Sequence, residues 1–289
     1  MRLLAATLLL SVSGCVCVAP QAPAATGRTE QHDLESAVVG DTYRLFVRLP
    51  PDYDASPDRH YPLIVQLDAN LDLLEEFAVT AGYASDLERR SDIPSTIVVG
   101  VGYPYDDTQP NRGRLRDYTI PLQHPDVLGG ATGGAPKFYE FLNAELMPYL
   151  EATYRVDGPT GRALFGHSLG GLFTTWAFTQ HDPAAPRFAA FVAASPALHF
   201  DQASIYSHLD ALGARTSAVP AALSMTVGEL EGPEQNVYFD DFTRRLDQRG
   251  FTGLILDAHK YDTDHVGTVA PSFRDGLKFV FANGLGATP

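Results

Sequence analysis

The stretch Gly166-His167-Ser168-Leu169-Gly170-Gly171 sets the tightest limit on what this chain can become. It is preceded by the short apolar run that ends at Phe165 and followed by the helical pattern Leu172 to Phe178, so G-x-S-x-G sits where a strand turns into a helix. Those three fixed residues recur by chance, and it is the context that gives them meaning. A turn of this kind is so sharp that the serine adopts a strained backbone and lifts its hydroxyl above the end of a sheet. Gly166 and Gly170 remove side chains that would collide there, and Gly171 lets the helix pack close. The plainer reading is a glycine-rich helix start serving as an anion site. The spacing does not match the dinucleotide pattern G-x-G-x-x-G.

The rest of the chain supplies the sheet such a turn needs. Tyr43, Leu45, Val47 and Leu49 alternate with Thr42, Arg44, Phe46 and Arg48, the period of a strand with one buried face, and Pro50-Pro51 closes it. The Gly40-Asp41 pair predicts a hairpin with a partner at 37–39. Continuous apolar runs at 63–67, 96–101, 163–165, 188–194, 223–227 and 254–256 predict strands covered on both faces. Phe138, Phe141, Leu142, Leu146, Tyr149 and Leu150 form one helical stripe. Strands and helices in alternation predict an α/β fold with a mostly parallel, doubly wound sheet behind an N-terminal antiparallel hairpin. The segment 104–136, crowded with Gly, Pro, Asp and Asn, reads as a long loop, either a lid or a plain insertion.

A serine hydroxyl needs a base to take its proton, and in this architecture the acid and the histidine follow the serine in the chain. His265 lies in a loop after the last strand pattern and is the expected base, whereas His259 falls at the end of that pattern and reads as structural. The acid should leave the strand that ends at Val227. Glu231 is the first candidate, Glu229 the reserve, and Asp264 reads as a loop brace. The oxyanion donors expected are the amides of Leu169, next to the nucleophile, and Asn70, in the loop after an early strand, with Ala69 next. No metal ligand pattern such as H-E-x-x-H is present, and the reaction needs neither metal nor cofactor.

Composition bears on partners and compartment. The net charge of -14 disfavours nucleic acid and anionic lipid as partners, and no protein partner is implied. Met1-Arg2 and the uncharged run Leu3 to Val12 resemble a secretory signal, and Val12-Ser13-Gly14-Cys15 resembles a bacterial lipobox. The expectation is export, with residues 1–18 as signal, membrane attachment through a lipid on Cys15 or else an ordinary cleavage near Ala22-Pro23-Ala24, a flexible tether over 19–34 and a catalytic domain over 35–285. The only cysteines are Cys15 and Cys17, so the folded domain has no thiol chemistry.

Read together, these stretches resemble the putative-esterase branch of the α/β-hydrolases that holds the bacterial siderophore esterases and, more distantly, the formylglutathione hydrolases and mycolyl transferases. The resemblance is carried by Tyr43 to Tyr53, Tyr61-Pro62-Leu63 to Asp68, Arg116-Asp117-Tyr118-Thr119, the Gly166 to Gly171 turn, Ser195-Pro196-Ala197-Leu198, Gly228 to Glu231 and Asp264-His265. It implies hydrolysis of carboxylic esters by Ser168, His265 and Glu231, although relatives of the siderophore type can work with a serine–histidine pair. Such relatives carry Asp-Gly where this chain has Asp68-Ala69. Arg112, Arg114 and Arg116 are expected to hold an anionic ester, solvated loop charge being the plainer account. An acyltransferase of the same fold and a non-catalytic binding lipoprotein are the rival functions.

Overall fold

Strands β1 (Arg28–Ser36) and β2 (Asp41–Leu49) pair antiparallel along their whole length, Arg28 opposite Leu49 and Ser36 opposite Asp41. The structure is a computed structural model that describes residues 27–69, 74–104, 112–123 and 132–286. The expected signal, Cys15 and Asn70 lie outside the described residues.

The hairpin departs from expectation. Residues 37–40 are its turn, with the Gly40 amide donating to the Ser36 carbonyl at 2.9 Å, and β1 occupies part of what read as tether. As the edge strand, β1 carries polar side chains on both faces, so no apolar alternation marks it. Cross-strand pairs hold it instead, among them Arg44 to both Asp33 oxygens at 2.8 Å.

Six further strands complete the sheet: β3 (Leu63–Gln66), β4 (Ile97–Gly102), β5 (Arg162–His167), β6 (Ala190–Ala194), β7 (Ala222–Gly228) and β8 (Ile255–Tyr261). Their order is β1-β2-β4-β3-β5-β6-β7-β8. The pairs β1–β2 and β2–β4 are antiparallel, and every pair from β4–β3 to β7–β8 is parallel. The carboxyl ends of the parallel strands therefore open on one edge of the molecule, where loops can deliver reactive side chains.

The helices are α1 (Leu74–Arg89), α2 (Arg112–Tyr118), α3 (Ala135–Phe141), α4 (Met147–Thr153), α5 (Leu169–Thr179), α6 (Phe200–Ala203), α7 (Ile205–Arg215), α8 (Pro233–Arg249) and α9 (Val269–Ala282). Helices α1 and α9 share one face, where Phe77 and Phe273 meet Ile64, Val98 and Phe165. The opposite face carries the larger apolar core, with Phe138, Phe173, Leu209 and Phe242 over Val65, Val99 and Leu223. Each such side chain contributes about 1.5–3 kcal/mol by leaving water.

Three local differences from the sequence reading have physical causes. The second face of β2, expected to be solvated, is covered by α1. Phe46 lies 5.8 Å from the Phe77 ring, and the buried Arg48 guanidinium donates to both Glu88 oxygens at 2.6 and 2.5 Å. The helical stripe beginning at Phe138 is continuous but passes through a π-helical turn, Leu142–Leu146, between α3 and α4. Glu145 in that turn accepts from Ser36 Oγ at 2.5 Å and from the amides of Ala37 and Val38 at 2.9 and 3.2 Å, which ties the helix to the hairpin turn. Lastly, the segment read as one long loop contains α2. Two turns of helix carry little periodic signal, and this one is held by its buried Asp117, whose Oδ2 accepts from Tyr43 and Tyr103 hydroxyls at 2.7 and 2.9 Å.

Candidate active site

Strand β5 ends at His167, and Ser168 follows with φ 57° and ψ -116°, a left-handed backbone that costs about 1–3 kcal/mol in a residue with a side chain. Neighbouring backbone holds it there. The Ser168 amide donates to the Ala194 carbonyl at 3.0 Å, and the Ser168 carbonyl accepts from Leu172 and Ala197 at 2.9 and 3.1 Å. The turn is so closed that a Cβ on Gly166 would lie 2.3 Å from the Gly170 carbonyl oxygen. This is the strained strand-to-helix turn expected at G-x-S-x-G.

The imidazole and the carboxylate arrive from neighbouring strand ends. His265 stands in the loop between β8 and α9, and Glu231 in the short 3₁₀ turn that leaves β7. His265 Nδ1 is 2.6 Å from Glu231 Oε2. A carboxylate accepts, so Nδ1 carries the hydrogen and Nε2 is left as the base. The other oxygen, Oε1, accepts from the Gly228 amide at 2.6 Å and from the Ser195 hydroxyl. Burial alone would raise the Glu231 carboxyl, but the bonds from His265, Ser195 and Gly228 outweigh it and hold the group below its ordinary value. The Glu231 side chain is 3% exposed and that of His265 43%, so the acid is shielded while the ring reaches solvent.

The other candidates are placed elsewhere. Glu229 is exposed, and Asp264 Oδ1 accepts the Gly267 amide at 2.8 Å, bracing the loop. His259 lies within β8 with its ring 4.5 Å from that of Tyr261.

Ser168 and His265 together line two cavities. One, of about 430 Å³, adds Leu169, Ala197, His199, Glu231, Glu234 and Gln235. The other, of about 370 Å³, is more apolar, with Val79, Val266, Val269 and Ala270 beside Glu76, Arg114 and His167.

Leu169 opens α5, so its amide has no helical acceptor one turn before it and is available to an anion. Ala69, the reserve donor, is already engaged: its amide donates to the Val101 carbonyl at 3.1 Å. The left-handed residue of this loop is Asp68, φ 61°, and its amide donates to the Tyr118 hydroxyl at 3.2 Å. Ala69 itself needs no left-handed backbone, so alanine in place of glycine is compatible with the loop. Its methyl group sits over Gly100, where a Cβ would approach it to 2.6 Å.

The three arginines occupy different surroundings. Arg114 lines the apolar cavity, with Nε 2.5 Å and Nη2 3.1 Å from the carboxylate of the fully buried Asp68. Arg116 is held by Asp117, Nε to Oδ1 at 2.6 Å, and by Asp41 at 2.5 Å. Arg112 is exposed at the start of α2.

Four further residues join the site without any signal in the sequence: Ser195, Thr268, His167 and Glu76. Ser195 is fully buried with φ 40°, and its hydroxyl lies 2.9 Å from Thr268 Oγ1. Single serine, threonine and glutamate positions carry no spacing signal. Their partners are brought in by different strands and helices, and only the fold joins them.

A mixed sheet with a strained nucleophile turn after β5 and an acid and a histidine after β7 and β8 defines the α/β-hydrolase fold. A model of the putative-esterase family matches residues 36–218. The ferri-bacillibactin esterase BesA of Bacillus subtilis (strain 168) is 30% identical over 233 residues, covering 76% of this chain and 76% of its own length. Among solved structures, the BES protein from Bacillus cereus superposes with a TM-score of 0.75 at 26% identity, over 92% of this chain and 99% of that one. An IroE-like serine hydrolase from Shewanella oneidensis gives 0.76 at 25% identity, over 88% and 80%. The chain belongs to the putative-esterase family and is a carboxylic ester hydrolase.

Proposed function

We propose that the chain is a serine esterase that works through an acyl-enzyme and acts on an ester of the siderophore type. The observation that carries the mechanism is the 2.6 Å contact between His265 Nδ1 and Glu231, on a ring that shares both cavity walls with Ser168. The similarity to a ferri-bacillibactin esterase supports the substrate class.

In the first half-reaction His265 Nε2 takes the proton of Ser168 Oγ as that oxygen bonds to the ester carbonyl carbon. The carbonyl oxygen becomes an alkoxide, and the Leu169 amide supports it, together with a second donor for which Asn70 is the candidate. The tetrahedral carbon then expels the alcohol oxygen, which leaves with the proton from His265. Water repeats the sequence on the acyl-enzyme, with its proton passing to His265 and then back to Ser168 Oγ. Throughout, Glu231 stabilises the imidazolium and fixes the tautomer.

Of the three arginines, Arg114 lines a cavity that Ser168 also lines and is the proposed contact for an anionic acyl group, while Arg112 is exposed and Arg116 is tied to Asp117 and Asp41. Export with a lipid on Cys15 is the proposed setting. Metabolic incorporation of a labelled fatty acid that disappears in Cys15→Ala supports it, and unchanged labelling defeats it.

The decisive experiment treats wild type and Ser168→Ala with a fluorophosphonate probe and with ferric and iron-free triscatechol trilactones. Labelling and hydrolysis are expected in wild type alone. Hydrolysis of simple aryl esters without any cleavage of the trilactones would retain the serine esterase and remove the siderophore substrate.

A further inference from the structure

The mechanism uses His265 through its ring, but the backbone of that residue is also held, and from an unexpected quarter. His167, the residue before Ser168, has its ring 4.5 Å from the His265 ring. Its Nε2 lies 2.9 Å from the His265 carbonyl oxygen, across 98 positions of chain. A carbonyl only accepts, so Nε2 carries the hydrogen. The opposite nitrogen, Nδ1, is 3.2 Å from Glu76 Oε1 on α1. The same His265 carbonyl accepts the Thr268 hydroxyl at 2.6 Å.

These bonds matter because they hold the backbone of the turn that carries the base. Val266, next to His265, is 71% exposed, so apolar burial does not anchor this turn. Its polar contacts among the described residues include the Asp264 bond to the Gly267 amide, the Val266 carbonyl accepting from Val269, the Thr263 carbonyl accepting from Leu230, the His265 ring on Glu231 and the two donors on the His265 carbonyl. Among these described contacts, the one from His167 reaches the element that carries the nucleophile.

We propose that His167 is a positioning residue of the reaction: by donating from Nε2 to the His265 carbonyl it fixes the base relative to Ser168, and Glu76 sets the orientation of its ring. This rests on the serine-esterase reading. The proton inventory agrees with it. With Nε2–H committed to the carbonyl, Nδ1 and Glu76 Oε1 need one shared proton between them, for otherwise a lone pair would face a carboxylate. Burial pushes the Glu76 carboxyl up. Burial also opposes charge on His167, yet the bond to Glu76 prevails and holds that ring above its ordinary value. Asp68, Arg114 and the His265 ring are the other ionisable groups beside the pair.

The test compares His167→Phe and His167→Gln with wild type, reading kcat and KM on a chromogenic ester, the rate of fluorophosphonate labelling and the thermal midpoint. His167→Phe is expected to lose about 10- to 100-fold in kcat, since small misplacement of a reacting group costs that much. KM should stay within about twofold and labelling should slow in parallel. His167→Gln, whose carboxamide can still donate to the carbonyl, should recover most of the rate. The proposal falls if His167→Phe keeps wild-type kcat, or if the glutamine variant melts like wild type yet is as slow as the phenylalanine one. Should His167→Phe not fold, Glu76→Ala, which frees the imidazole to turn, must lower kcat without raising KM, and an unchanged kcat overturns the proposal. A wild type that takes no probe, or an active Ser168→Ala, brings down the serine-esterase reading itself, an outcome distinct from both.

Discussion

Two imidazole–carboxylate pairs stand side by side at the carboxyl edge of the sheet, and their differences define their work. In His265–Glu231 the contact is 2.6 Å, the ring is 43% exposed, and the carboxylate accepts from three donors. In His167–Glu76 the contact is 3.2 Å, both side chains are 8% exposed, and Glu76 Oε2 has no hydrogen-bond partner among the described residues. A pair that cycles a proton with substrate needs an accessible ring and an acid whose charge is already stabilised. A buried pair that shares one proton is suited to holding a shape.

The sharpest way to break this contrast is to remove each ring. His265→Ala should lower kcat/KM by about 10⁴-fold or more, as expected when the base of a serine triad is lost. Steady-state hydrolysis of an aryl ester measures it, and a loss no larger than that of His167→Phe would mean that the two rings had been given the wrong parts. Next come the acids. Glu231→Gln should cost roughly 10²- to 10⁴-fold in kcat, because an amide can turn its oxygen or its NH₂ to Nδ1 and no longer supports the imidazolium. If the rate survives this change, the chain belongs with the esterases that manage on a serine–histidine pair.

A smaller effect sharpens the role of Ser195. Its hydroxyl helps hold the Glu231 carboxyl below its ordinary value, so Ser195→Ala should weaken kcat by about tenfold or less. The acid limb of the pH–rate profile should move to higher pH. The sign follows from the lost bond: a carboxylate with one donor fewer takes up its proton at a higher pH. An unmoved acid limb would show that the Gly228 amide and His265 suffice.

The smallest expected change concerns stability. Both members of the buried pair, flanked by Asp68, Arg114 and the His265 carbonyl, have raised pKa values, so the pair favours the protonated side. Its contribution is present below about pH 6.5, the ordinary imidazole value, and is lost as pH rises through the folded value of His167. Melting curves of wild type should therefore fall by a few degrees on the alkaline side, and Glu76→Gln should flatten that slope. Parallel curves for the two proteins would remove the shared proton from the account.

How much of this was legible in the sequence depended on whether a feature lay within one stretch of chain. The strained turn at Ser168 did, because two glycines and a serine between a strand and a helix have few alternatives. Glu231 and His265 each leave a strand end on the expected edge, and the structure brings them into contact. Strand β1 stayed hidden because an edge strand with polar residues on both faces looks like a tether. Helix α2 stayed hidden because a buried aspartate between two tyrosine hydroxyls, not periodicity, holds it. Arg114 looks like loop charge or a substrate contact in the sequence, and no local pattern announces its bond to the buried Asp68. The clasp on the His265 carbonyl was equally silent, for its two ends are joined only by the fold.

The π turn at Leu142–Leu146 amounts to one residue more than an unbroken α-helix would use to cross the same distance. Winding the same residues as an unbroken α-helix, with none removed, would rotate everything beyond the turn by about 100° about the axis. Phe138 and Phe141 on one side and Leu146 and Leu150 on the other are all fully buried, so one pair would be turned out toward water. Glu145 would swing away from the hairpin it tethers. The π turn thus absorbs one residue of phase and keeps two halves of a helix facing the same core, which the same sequence wound as plain α-helix could not do.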